Sequence, residues 1–65
     1  MEKSISQIVK QIAENIDGMI AKIEETQELL KQLPSTTQVN SNIGLATGSK
    51  QALEHMKRNT IQMIF

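Results

Sequence analysis

"SISQIVKQIAENIDGMIAKIEETQELLKQLP" (Ser4 to Pro34) decides the fold of this 65-residue chain. Ile5, Ile8, Val9, Ile12, Ile16, Met19, Ile20, Ile23, Leu30 and Leu33 recur at three- and four-residue steps. That period predicts one long helix over about 4–33. Ser4 followed three residues later by Gln7 has the form of a capping box, and Pro34 stops the helix at or just before Leu33. The stripe contains two adjacent heptad lines, Ile5–Ile12–Met19 and Val9–Ile16–Ile23–Leu30. So broad an apolar face needs more than one partner helix. Gly18 interrupts it at a cost of about 1 kcal/mol relative to Ala, consistent with a bend, a close helix contact or a tolerated glycine.

"PSTTQVNSN" (Pro34 to Asn42) reads as the connection, with a turn over 34–41 and Asn40, Ser41 or Asn42 capping the next helix. The second helix is expected over about 42–62. Leu45, Ala52, Leu53, Met56, Thr60 and Met63 fall on one side at helical spacing and form a weaker stripe than the first. The two stripes cannot cover each other. The expected fold is therefore all-α: an antiparallel two-helix hairpin that assembles into an oligomeric helical bundle through apolar burial. The tail "IQMIF" (Ile61 to Phe65) adds apolar surface for a sister subunit or partner to cover.

Composition narrows the function classes. The chain is too short for more than one domain. It has no Cys and a single His, which removes disulfides and any zinc site built by one chain. The opening "MEKSISQ" is charged and polar, and no stretch approaches the roughly 20 apolar residues that span a bilayer. A cytoplasmic protein without a membrane segment is expected. Net charge is zero, but four lysines against six carboxylates leave residues 1–33 at −2, and residues 34–65 stand at +2. An anion would prefer the second half. One aromatic, Phe65, and few basic residues argue against duplex or single-stranded nucleic acid.

"GLATGSK" (Gly44 to Lys50) resembles a phosphate loop only in composition. Three residues separate its glycines where the P-loop has four, Lys50 follows Ser49 instead of preceding it, and no strand leads into it. What remains is G-x-x-x-G near the start of a helix, read either as a place where another backbone comes close or as a plain helix start. On a helical wheel Thr47, Gln51, Glu54 and Arg58 lie away from the apolar stripe. Gly44, Gly48, Gln51, His55 and Gln62 form a seam beside it. In a monomer this is a solvated polar face; in an oligomer it can line a pocket between subunits. No nucleophile–base–orienter set is present, so no enzyme is expected and no catalytic residue or cofactor is assigned.

"IGLATGSKQALEHMKRNTI" (Ile43 to Ile61) resembles the second helix of the phage-encoded cyclic-nucleotide sponges, which blunt the CBASS and Thoeris defences. The resemblance rests on a small-residue stretch ending in Thr47, on Ala52 between Leu and Met positions, on Arg58, and on a short tail ending in Phe65. It covers about 20 residues; "RNTI" stands where that family has "RAI", and its aromatic before the small stretch is missing. The resemblance implies a hairpin assembling into a homo-oligomer such as a hexamer in the host cytoplasm. Cyclic di- or trinucleotides would be held between protomers without cleavage. Arg58 would offer its guanidinium fork to a phosphate. Thr47, Gly48 and Ser49 would offer hydroxyl and backbone contacts, with Lys50 and His55 as further ligand-binding candidates. The alternative is a small helical-hairpin regulator that acts on a protein partner through a four-helix bundle. An RNA-binding dimeric hairpin is a third reading, weakened by the thin basic face.

Overall fold

A computed structural model describes residues 3–64. Helix α1 spans Ile5–Lys31, helix α2 spans Thr37–Ile61, and one 3-10 turn follows over Gln62–Ile64. The chain is an all-helical hairpin, as its periodicity requires. Phe65, and with it the end of the apolar tail, lies outside the described residues.

Local chemistry sets the ends of α1. The Ser4 hydroxyl accepts from the Gln7 backbone N–H at 3.2 Å, and the Gln7 side-chain oxygen accepts from the Ser4 N–H at 2.9 Å. Two N–H groups that a helix start leaves without partners are thereby satisfied. At the other end the Gln32 N–H reaches back to Leu29 and Leu30, and the Leu33 N–H reaches Leu30 at 3.1 Å. Pro34 cannot continue that pattern, because it has no N–H to give. The helix passes through Gly18 unbroken, and a Cβ placed there would meet nothing within 4 Å. Gly18 therefore makes no close contact within the hairpin.

The second helix begins earlier than its sequence suggests. Thr36, in extended backbone, caps α2 by accepting from the Val39 N–H at 3.1 Å. The expected turn over 34–41 is thus cut to Gln32–Thr36, and Asn40, Ser41 and Asn42 lie inside the helix. Thr36 is a weaker cap type than Asn or Ser, but a helix that starts there brings the side chains of Val39 and Ile43 against α1. Tertiary contact outweighs the poor intrinsic helix preference of this Thr, Asn and Ser run.

Where the helices meet, the least exposed residues alternate in steps of four and three. On α1 they are Val9, Ile16, Ile23 and Leu30, with Ala13, Ile20 and Gln27 between them. On α2 they are Val39, Ala46, Leu53 and Thr60, with Ile43, Lys50 and Lys57 between them. This is the spacing of a two-helix coiled seam. The expected stripe on α2 therefore divides: Leu53 and Thr60 belong to the seam, whereas Leu45, Met56 and Met63 stay exposed. Lysines occupy two seam positions because their methylene stems cover apolar surface while their ammonium groups reach outward. Lys57 reaches Asp17 at 2.7 Å and Lys50 reaches Glu24 at 3.2 Å. Gln27 donates to the Thr47 hydroxyl at 2.9 Å. Moving from Asp17 to Glu24 to Gln27 runs up α1 while Lys57, Lys50 and Thr47 run down α2, which fixes the antiparallel register.

The packed interior is small. Among the described residues Val9 and Ile16 are the only buried apolar side chains, and Thr60 is buried beside them. The molecule measures 50 × 20 × 12 Å. Its thin dimension matches one helix diameter of about 10–12 Å. The hairpin is a slab one helix thick, with both broad faces open.

Candidate functional site

All six candidate residues lie on α2, but not on one side of it. At about 100° per residue, Thr47, Gly48, His55 and Arg58 fall on the half of α2 that faces away from α1. Ser49 and Lys50 lie elsewhere. Lys50 sits in the seam, half-buried, with its ammonium group against Glu24. Held there, it is no free phosphate donor in the single hairpin. Ser49 is exposed on a broad face of the slab, beside the line of Leu45 and Met56. The structure thus brings together four of the six and separates two.

Thr47 is positioned by both helices. Its hydroxyl accepts from Gln27 at 2.9 Å and donates to the Ile43 carbonyl at 3.1 Å. It marks the border between the seam and the outer side of α2. Arg58 is three turns further along the same side, about 16 Å away along the axis. It is exposed and makes no ion pair among the described residues.

Gly48 and His55 share a shallow, open groove with Gln51, Ala52 and Asn59 on the outer side of α2, and it runs inward to Met56, Met63 and the buried Thr60. The groove exists because Gly48 and Ala52, one turn apart, present no bulk between longer neighbours. A Cβ at Gly48 or Gly44 would meet nothing within 4 Å, so neither glycine serves packing inside the hairpin. "GLATGSK" is also not a helix start: it begins seven residues into α2. Gln51 and Asn59 add amide donors and acceptors to this groove. Gln51 is visible in the sequence as a seam residue, whereas Asn59 is not, although its four-residue step from His55 places it on the same side.

Arg58, Gln51, Asn59, His55 and the Thr47 hydroxyl supply donors along an exposed ridge. Among the described residues, no three His, Asp or Glu side chains gather as metal ligands, and no helix is long and apolar enough to cross a membrane. No family model, curated protein or solved structure matches the chain.

Proposed function

We propose that this protein is a non-catalytic binder that sequesters a cyclic oligonucleotide, in the manner of the phage anti-defence sponges that its second helix resembles. The observation that supports this reading is the outer side of α2. Arg58, Gln51, His55 and Gly48 are left out of the hairpin's own packing, and they share one side of a continuous helix. In a single hairpin this side is an open ridge. A neighbouring protomer would convert it into a pocket, with Arg58 binding a phosphate by charged N–H donors and the glycine-lined groove admitting a base or sugar. The ligand would be removed from its receptor by mass action, in the cytoplasm of the host. Ser49 and Lys50 take a lesser part in this reading, because they point away from the ridge.

A thermal-shift panel of cyclic di- and trinucleotides tests it, since a ligand that binds only the folded state raises its melting temperature. The reading expects a rise for at least one member, abolished by Arg58→Ala with the oligomer intact. No rise for any member at about 0.1 mM sinks it.

A regulator acting on a protein partner is the second reading, and the exposed apolar edge of the slab favours it. For that function, the partner would be recovered in stoichiometric amount from host lysate and the nucleotide panel would be silent.

A further inference from the structure

The two broad faces of the slab differ in kind. The ion pairs Asp17–Lys57 and Glu24–Lys50 and the Gln27–Thr47 hydrogen bond all lie to one rotational side of the helix–helix seam. On the other side, at roughly 50–110° from the seam on a wheel of about 100° per residue, lie Ile8, Ile12 and Met19 of α1 and Leu45 and Met56 of α2, with Met63 of the 3-10 turn continuing the line. Two antiparallel helices are related by a rotation about the slab normal, so the same rotational sense on each helix is the same face. A shallow groove on this face, lined by Met19 and Ile23 of α1 and Leu53 of α2, joins the two halves. All six of the large side chains are exposed, Ile12 least at 38% and Met63 most at 75%.

We propose that a second copy of this chain covers the apolar face, making a two-layer helical bundle whose interface is centred on Ile12, Met19, Met56 and Met63. The surface area argues for a cover of that size. The chain exposes 5152 Å², whereas a folded monomer of 7.3 kDa is expected to expose about 4200 Å². The excess of roughly 1000 Å² is close to the ≈ 800 Å² that each partner contributes to a stable interface. Shape argues likewise. The radius of gyration is 15.4 Å, against about 11 Å for a compact domain of this length, and a one-layer slab leaves its apolar face no other layer to pack on.

Charge selects the same chain as the occupant. The apolar face carries no carboxylate, and Lys22 at its rim is paired with Glu25 at 3.5 Å. Two copies therefore meet there without repulsion, as a two-fold, self-complementary contact requires. A hairpin with so small an interior needs its cover whenever it is folded, and its own copy is the partner always present in matching amount. The interface shares Met56 and Met63 with the groove beside His55, whereas Arg58 stays outside it; the proposal concerns assembly, and a silent nucleotide panel would leave it untouched.

Sedimentation equilibrium of the full chain tests it, beside Ile12→Glu, Met56→Glu and the opposite-face control Glu14→Gln. The expected result is a mass of at least two chains for the natural sequence and for the control, and a shift toward one chain for either glutamate variant. Because a single hairpin can unfold when released, peroxide footprinting of the natural chain gives a second reading. Met19 and Met56 should oxidise to sulfoxide several-fold more slowly in concentrated than in dilute protein. A helical natural chain at the mass of one copy overturns the proposal. So does an oligomer whose Met19 and Met56 oxidise at the dilute rate, since another face would then make the contact.

Discussion

The two edges of the same seam solve the problem of a narrow hairpin in opposite ways. On the ionic side, Lys50 and Lys57 lay their stems over the interior and end on Glu24 and Asp17. On the apolar side, Ile12, Met19 and Met56 extend the stripe of α1 and α2 past the seam and remain exposed. One edge is finished within the chain; the other stays open in the hairpin, and the proposed second copy would finish it. Lysine at a seam position closes a helix pair at little cost. Isoleucine and methionine beyond the seam mark where packing has yet to continue.

Substitutions separate the interior from these edges by their magnitudes. The largest effect belongs to Ile16, which is 1% exposed. Ile16→Ala should destabilise by about 2–5 kcal/mol, read from denaturant unfolding. A loss well under that range would mean that the seam is not centred there. Next come the caps. Ser4→Ala and Thr36→Ala each remove the hydroxyl that holds a first-turn N–H, and each should cost about 1 kcal/mol. Thr36→Ala also tests where α2 begins, because an effect near zero would restore the later start expected from Asn40 to Asn42.

Gly48→Ala should change stability in the favourable direction by up to about 1 kcal/mol, because the position is helical and a Cβ meets nothing there. A destabilised variant would instead show that another chain's backbone lies in the groove. The smallest effect is expected at Lys57→Met, which keeps the stem and loses an exposed ion pair worth about 0–1 kcal/mol. If this change costs several kcal/mol, the ionic edge contributes far more than its exposure allows.

How far the sequence could be read follows from where its apolar pattern is strong. The isoleucine rows of α1, the Ser4–Gln7 box and Pro34 speak through local rules, and α1 lies within two residues of its expected ends. The start of α2 was hidden because Ser35, Thr36, Thr37, Asn40, Ser41 and Asn42 are all capping types, and only contact with α1 chooses among them. Leu53 and Thr60 of its contact stripe are legible, but the rest is hidden because Lys50 and Lys57 occupy seam positions that periodicity alone assigns to apolar residues. Leu45, Met56 and Met63 then look like the seam. The same concealment affects the candidate site. Spacing along one helix puts Thr47 and Arg58 away from the apolar stripe and Gly48 and His55 in a seam beside it, but it cannot show that Lys50 is occupied by Glu24, because that pair forms only once both helices are packed together.

The most direct test of an edge completed from outside is the thermal midpoint of the natural chain by far-ultraviolet circular dichroism, measured over about a hundredfold range of protein concentration. The midpoint should climb with concentration, because the folded hairpin and its cover form together. A helical chain that melts at one temperature across the whole range, at the mass of a single copy, would contradict it.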